Sequence, residues 1–371
     1  MAKVKLGEVA RECKSTVKES ADLPNVGLEH LIPGEIELTQ WSESSDNTFT
    51  KGFKKGQMLF GRRRAYLKKA AVAPFDGICS GDITVIEAIP EKILPELLPF
   101  VIQNDRLFDY AVEKSAGSLS PRVKWEHLKN FEFELPKIRQ QKELVDLLWA
   151  MIWTKKAYQN LVNKTDELVK SQFIERFIKD ERNSSVRLDA VTTVSSGLTK
   201  NAKRPTFEIK MPYLRVANVF FDYIDLDDVQ TIGVQQGEIE KSLLKKGDIL
   251  FVEGNGSPDQ IGRVAVWDGQ SEPMLHQNHI IKARPDERKV LPRYCMYFFM
   301  TQAGRNQILS SAKTTSGLYT LSLSKIAGFK LPLAPLEEQQ RFLQLVEQSD
   351  KSKFELKQAI ARIDDMIKAL M

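Results

Sequence analysis

The heptapeptide KKGQMLF at residues 54–60 returns as KKGDILF at residues 245–251, nearly 200 residues further along the chain. Other segments repeat in the same order: an amphipathic opening, a Leu-Pro before an aromatic-rich helix, and a loop containing Gly and Ser at 115–120 and 314–320. Each copy then ends in a strand, Leu-Pro, Gln-Gln and a long helix. A repeat of this length is a whole domain rather than a solenoid unit. The order predicts two similar modules rather than chance reuse of a common strand–turn–helix pattern.

Two long amphipathic helices follow the two modules. Residues 139–179 contain no Gly or Pro, and apolar residues recur there at intervals of three and four, as they do after Glu337. At about 1.5 Å per residue the first helix would reach roughly 60 Å, longer than a small domain is wide. Core helices packed on their own modules are therefore the weaker interpretation, and we predict an antiparallel coiled-coil pair. The residues predicted to pair the helices are Leu144, Leu148, Met151, Tyr158, Val162, Val169, Phe342, Val346, Leu356, Ile360, Ile363 and Ile367.

The predicted fold is therefore α+β, with mixed strands and helices in each module. Two similar modules, 1–137 and 181–333, are separated by long helices at 138–180 and 334–371, with approximate two-fold symmetry.

The motif content argues against catalysis by this chain. Pro-Pro occurs nowhere, so the loop with which adenine methyltransferases hold a flipped base is missing, and so is a GxxxxGK(S/T) phosphate loop. The three cysteines form no CxxC pair and the four histidines no HExxH motif. We predict no catalytic residue, no metal site and no cofactor in this chain.

The bulk composition is that of an ordinary globular protein, with 42% hydrophobic and 28% charged residues. The N-terminus lacks the pattern of a signal peptide, and no apolar run approaches the ~20 residues that span a bilayer. We expect a cytoplasmic protein with no membrane partner. A net charge of +5 permits an anionic partner without requiring one.

Basic and polar side chains in predicted loops are the candidates for contact with DNA. In the first module a run of cations from residue 54 to residue 69 contains no acidic residue, so it can neutralise phosphates or pair with guanine edges. A solvated basic surface is the alternative. The candidates are Lys54, Lys55, Arg62, Arg63, Arg64, Lys68, Lys69, Ser118, Ser120, Arg122 and Lys124.

The candidates of the second module are more polar than basic. Amides suit adenine edges and hydroxyls suit phosphates, whereas ordinary turn chemistry is the alternative. They are Asn255, Ser257, Gln260, Arg263, His276, Gln277, Asn278, Lys313, Thr314, Thr315, Ser316 and Tyr319.

Several segments resemble the specificity (S) subunits of type I restriction–modification systems. PNVGLEHLIPG at 24–34 and YLRVANV at 213–219 resemble the early part of a target recognition domain. KGDILF at 246–251, the Asn-Gly-Ser and Ile-Gly-Arg that follow it, and LPLAPLEEQQ at 331–340 complete the likeness. The resemblance covers essentially the whole chain. It is looser in the first module, where three arginines at 62–64 stand in place of Glu253 and its neighbours.

The resemblance implies a division of labour. Each target recognition domain would read one half of a split, asymmetric sequence in double-stranded DNA. The helices would set the unread spacer and dock two DNA adenine methyltransferase subunits. Restriction subunits that translocate and cut DNA would complete the enzyme in a bacterial or archaeal cytoplasm, and those partners would use S-adenosylmethionine, ATP and Mg²⁺. A coiled-coil scaffold for proteins and a recognition fragment of a fused single-chain restriction enzyme are the alternatives.

Overall fold

The computed structural model describes residues 2–17, 23–43, 47–117, 119–180, 183–271, 273–315 and 317–371. The chain divides into two compact units. Unit 1 comprises Met1–Gln159 and Gln358–Met371, and unit 2 comprises Asn160–Lys357.

Unit 1 combines short strands with short helices. Its strands are Ala2–Lys5, Ala10–Glu12, Ser15–Thr16, Asn25–Val26, Lys51–Phe53, Met58–Gly61, Ala70–Val72, Gly77–Cys79, Ile83–Ala88 and Glu132–Leu135. Its short helices are Leu6–Val9, Leu28–His30, Ala65–Leu67, Leu98–Ile102, Asp105–Glu113 and Trp125–Leu128.

Unit 2 has the same texture. Its strands are Ser184–Arg187, Thr192–Ser196, Ile209–Leu214, Gln230–Val234, Ile249–Val252, Gly254–Asn255, Val264–Val266, Leu275–His276, Ile280–Pro285, Lys313–Thr315, Leu318–Thr320 and Lys330–Leu333. Its short helices are Leu188–Val191, Arg204–Thr206, Val216–Asn218, Gln236–Ser242, Pro292–Met300, Gln302–Ser311 and Leu323–Ala327.

A four-stranded antiparallel sheet forms the centre of each unit. Its second and third strands are Ile83–Ala88 and Met58–Gly61 in unit 1, and Ile280–Pro285 and Ile249–Val252 in unit 2. The third strand is the apolar part of the repeated heptapeptide. The glycine before it has φ of +84° at Gly56 and +92° at Gly247, a left-handed conformation that glycine adopts without steric cost.

The third strands, Met58–Gly61 and Ile249–Val252, are apolar throughout because each lies between two cores. Met58 and Phe60 belong to one buried cluster of unit 1, whereas Leu59 belongs to another. In unit 2, Phe251 and Leu250 divide between two clusters in the same way. Successive side chains of a strand point to opposite faces, so a sheet covered on both faces selects an unbroken apolar run.

A buried glutamine fixes the start of each long helix. The side chain of Gln141 accepts a hydrogen bond from the Leu94 amide (2.9 Å) and donates to the Pro136 carbonyl (2.9 Å). Gln339 makes the equivalent bonds to the Leu291 amide (2.8 Å) and the Ala334 carbonyl (2.8 Å). The first Gln of the second pair therefore corresponds to the second Gln of the first, which shifts the sequence alignment of the repeat by one residue.

The long helices are Ile138–Phe173, followed by a π-helical turn at Ile174–Ile178, and Leu336–Leu370. In unit 1, Lys155 binds Asp364 (2.6 Å), and the chain end beyond that aspartate packs into the cluster that holds Leu148. In unit 2, Lys353 binds Asp166 (2.7 Å), and Phe342 stacks edge-on against Phe173. Because higher numbers on one helix meet lower numbers on the other, the helices run antiparallel in both units.

The predicted α+β class, with two similar units and long antiparallel helices, is confirmed. All the residues predicted to pair the helices are buried or half-buried. The domain boundaries at 137, 180 and 333 stay predictions.

Candidate nucleic-acid interface

In unit 1 the structure brings together the two segments predicted to contact DNA. The Arg64 amide donates a hydrogen bond to the Pro121 carbonyl (2.8 Å), and the Val123 amide donates to the Arg62 carbonyl (3.0 Å). On its other side the Arg62 amide donates to the Asp82 carbonyl (2.9 Å). The three arginines are therefore held in a backbone frame that includes the loop 119–123 and the turn before Ile83–Ala88.

Asp82 organises the side chains of this frame. Its carboxylate accepts two hydrogen bonds from Arg122 (2.7 and 3.2 Å) and lies 3.6 Å from the guanidinium of Arg63. Arg63 also donates to the Ser120 hydroxyl (3.0 Å). The hydrogen bond from Arg122 is the main cause that lowers the pKa of Asp82, so the carboxylate stays charged. It fixes the two arginines in position and neutralises part of their charge.

Sequence reasoning missed Asp82. The sequence from residue 54 to residue 69 contains no acidic residue. In the folded chain, however, the carboxylate of Asp82 lies next to this segment. Asp82 occupies the position that His279 occupies in unit 2, which the sequence did not single out either.

The predicted basic run does not form one patch. Lys54 and Lys55 are exposed at one end of Met58–Gly61, whereas Arg62 follows the other end, about 13 Å away at roughly 3.3 Å per strand residue. Lys68 is paired with Asp105 (2.6 Å).

The remaining candidates of unit 1 have separate positions. The ammonium of Lys69 donates to the Leu28 carbonyl (2.7 Å). Lys124 is exposed immediately before the helix Trp125–Leu128, and Ser118 lies outside the described residues. The candidate interface in unit 1 is therefore narrower than the predicted set and centres on Arg62–Arg64, Ser120 and Arg122.

Unit 2 builds the same backbone frame with other side chains. The Glu253 amide donates to the His279 carbonyl (2.9 Å), and the Leu321 amide donates to the Glu253 carbonyl (2.8 Å). These bonds repeat those of Arg62 with Asp82 and Val123 in unit 1. Here the acid lies on the other partner of the frame: Glu253 follows the strand Ile249–Val252 and lies 3.2 Å from the His279 ring.

A small antiparallel sheet collects the polar candidates of unit 2. Asn255 is paired with Tyr319, and Tyr319 is paired in turn with Thr314. Lys313 and Thr314 are exposed, and Tyr319 and Asn255 are half-buried. Ser316 lies outside the described residues, as does the side chain of Thr315.

The loop that follows Asn255 is held in a fixed turn. The side-chain carbonyl of Asn255 accepts from the Ser257 amide (2.9 Å), and Arg305 donates to the carbonyls of Ile261 (2.6 Å) and Pro258 (3.1 Å). Gln260 is exposed on this loop. The sequence did not indicate that Arg305 would hold this loop, because Arg305 lies 44 residues further along the chain, in the helix Gln302–Ser311.

Two predicted contacts of unit 2 are wrong, because burial removes them from the surface. Arg263 is 8% exposed, donates to the Val216 carbonyl (2.8 Å) and covers the ring of Phe220 at 5.1 Å. His276 is fully buried, and its Nδ1 lies 2.9 Å from the Ile280 carbonyl oxygen. Burial, reinforced by Lys282, lowers the pKa of His276 to about 4, so the ring is neutral near pH 7.

Gln277 and Asn278 remain half-buried next to the interface. Their backbone amides donate to the backbone carbonyls of Leu214 (2.9 Å) and Leu198 (2.9 Å), respectively, which fixes the backbone of this turn. Their side chains stay predicted DNA contacts.

The candidate interfaces of the two units present different chemical groups to DNA. Unit 1 presents guanidinium groups, which bind phosphates and the O6 and N7 atoms of guanine, whereas unit 2 presents amide, hydroxyl and ammonium groups. The described residues include no group of three or more His, Cys, Asp and Glu that could hold a metal ion. Among them, too, no helix has the length and apolar character needed to cross a membrane.

Comparison with known proteins finds a family match in the second half of the chain. The sequence pattern described as a type I restriction modification DNA specificity domain matches residues 181–363. The type I restriction enzyme EcoKI specificity subunit of Escherichia coli K12 is 28% identical over 165 residues, which are 43% of this chain and 35% of that protein. The StySPI specificity subunit of Salmonella potsdam is 27% identical over 144 residues, 38% of this chain and 31% of that one. Each match thus spans about a third of the relative's length.

Solved structures share the fold along the whole chain. A chain from a study of complex assembly and conformational transition in the type I R-M system has a TM-score of 0.62 at 17% identity and covers 100% of this chain and 96% of its own. The S subunit of M. genitalium has a TM-score of 0.56 at 14% identity, with the same coverage. Residues 181–363 therefore match the type I restriction modification DNA specificity domain, and the chain as a whole shares the fold of these solved structures.

Proposed function

We propose that the chain is the sequence-specific DNA-binding subunit of a type I restriction–modification enzyme, and that each unit reads one half of a bipartite, asymmetric target. The observation that carries the proposal is the conserved backbone frame with exchanged side chains. Arg62 and Asp82 in unit 1 correspond to Glu253 and His279 in unit 2. Two modules with one backbone and different polar groups are suited to reading two different sequences.

The long helices would set the unread spacer and dock two methyltransferase subunits. A helix of 36 residues is about 54 Å long at about 1.5 Å per residue, which corresponds to roughly 16 base pairs. The chain itself would be non-catalytic. Restriction subunits would complete the enzyme, and S-adenosylmethionine, ATP and Mg²⁺ would be used by the partner subunits.

The test is methylome sequencing of a strain with and without this gene, with the methyltransferase gene expressed. We expect one bipartite adenine-methylation motif that disappears with the gene. An unchanged methylation pattern would contradict the proposal.

Replacing Arg62, Arg63 and Arg64 by alanine separates DNA recognition from the scaffold alternative. A DNA-reading subunit would lose methylation at the motif while still assembling with the methyltransferase, because the hydrogen bonds and ion pairs of these arginines go to Asp82 and the loop 119–123 and not to the long helices. A scaffold would keep every DNA-dependent readout.

A further inference from the structure

An aromatic cleft with an acidic rim lies on the first long helix within unit 1. Its volume is about 480 Å³, within the range of ligand pockets in general. Trp149 and Trp153 line it with their ring centroids 6.3 Å apart, and Val145 adds a third apolar side chain. Glu37, Glu96 and Asp146 complete the lining.

The two tryptophans differ in how firmly they are held. Trp149 donates its indole N–H to the Glu96 carbonyl (3.0 Å) and packs edge-on against Phe100 (5.5 Å). Trp153 is 62% exposed, an unusual state for so large an apolar side chain. A fixed ring beside an exposed ring, inclined to it by 40°, presents an apolar surface whose inner half is already ordered before a ligand binds.

The charge at the cleft is negative and partly uncompensated. Glu37 is paired with Lys156. Among the described residues, the carboxylates of Glu96 and Asp146 have no ion-pair partner within 4 Å. Carboxylates next to the faces of tryptophans attract a cation, and an arginine guanidinium both stacks on an indole and pairs with a carboxylate. The same carboxylates repel the phosphates of DNA.

We propose that this cleft binds an arginine or lysine side chain of the methyltransferase subunit that docks on unit 1. The inference rests on the proposed function, which supplies the partner, and adds the chemistry of its anchor. It also makes docking unequal in the two units. The residues 198 positions after Trp149 and Trp153 are Glu347 and Lys351, so the repeat does not provide a second aromatic cleft.

The experiment measures the two stepwise dissociation constants of the methyltransferase subunit for the full-length chain by native mass spectrometry. We expect Trp153→Ala to weaken one constant about tenfold or more, the size of a desolvated cation–π contact, and to leave the other unchanged. The double variant Glu96→Gln, Asp146→Asn should weaken the same constant. Phe354→Ala is the matched comparison, because Phe354 is equally exposed (62%) on the second long helix in unit 2; it should leave the constant that Trp153→Ala weakens unchanged.

The possible outcomes distinguish a failure of the proposed function from a failure of this inference alone. Wild-type chain that binds no methyltransferase subunit would defeat the proposed function and this inference with it. Normal assembly with unchanged constants for the Trp153 variant, or equal weakening of both constants, would overturn the inference alone. Self-association of the chain that the Trp153 variant abolishes would assign the cleft to a second copy and also overturn it.

Discussion

Asp82→Asn is the substitution that tests the unit 1 interface most directly. The change removes one negative charge and leaves a side chain of the same shape. Arg122 loses a bidentate partner (2.7 and 3.2 Å), and Arg63 loses a carboxylate at 3.6 Å. Both guanidinium groups then gain freedom to reach phosphates while they lose the geometry needed to read a base.

The expected effects have opposite signs for affinity and specificity. One or two additional phosphate contacts would steepen the dependence of log K on log salt by about 1–2, so binding to a scrambled duplex would tighten at low salt. Loss of one well-placed arginine would reduce discrimination between the target and the scrambled duplex by about 1–3 kcal/mol, roughly 5- to 150-fold.

Fluorescence anisotropy of the assembled methyltransferase complex, with target and scrambled duplexes across a salt series, measures both quantities. Asp286→Asn is the matched control, because Asp286 also pairs with an arginine, Arg288 (2.9 Å), but follows the strand Ile280–Pro285 at the end away from His279. An Asp82→Asn variant with unchanged salt slope and discrimination, or an Asp286→Asn variant that changes both equally, would refute this role of Asp82.

Three further predictions concern stability. Gln339→Leu should lower the free energy of unfolding of the chain by about 3 kcal/mol, because it leaves the Leu291 amide and the Ala334 carbonyl without a hydrogen-bond partner in the interior. A urea titration that shows a loss of less than about 1 kcal/mol would contradict this. The lowered pKa of His276 means that the unfolded chain binds a proton below its ordinary value of 6.5, whereas the folded chain does so only near 4. The free energy of unfolding should therefore fall by up to about 3 kcal/mol as the pH drops from about 6.5 to about 4. If the wild type and His276→Gln show the same dependence of the free energy of unfolding on pH, His276 is not the cause. Gly197→Ala should lower the thermal midpoint, because the added Cβ would lie 2.1 Å from the His276 carbonyl oxygen; an unchanged melting curve would show that this contact relaxes freely.

The repeat could be predicted from sequence because its signals are local. KKGQMLF and KKGDILF combine a left-handed glycine with a strand buried on both faces, and each requirement restricts the residues allowed at its position. The helix stripes are visible for the same reason, since burial of one face imposes a spacing of three and four. The match of Gln141 to Gln339 was off by one, because Gln-Gln carries no signal as to which amide turns inward.

The interface was harder to predict because its decisive contacts are long-range. Asp82 lies 40 residues from Arg122, and nothing in the run 54–69 indicates that a carboxylate will enter it. Arg263 and His276 have polar side chains typical of DNA contacts, yet the fold buries both. The residues next to them in the sequence do not indicate this burial. Residue type indicates what a side chain can bind, whereas burial decides whether it is available.

The two units also indicate how specificity can change while the fold is kept. In each frame the hydrogen bonds join backbone atoms, so the side chains of Arg62 and Glu253 are not needed to close it. Residues at these positions can therefore be exchanged at little cost in stability, whereas Gln141 and Gln339 cannot, because their side chains make the bonds. Grafting Glu253 and His279 onto the positions of Arg62 and Asp82 should consequently leave unit 1 folded. Under the proposed function it should alter only the half-site assigned to unit 1, which methylome sequencing of the variant strain would show.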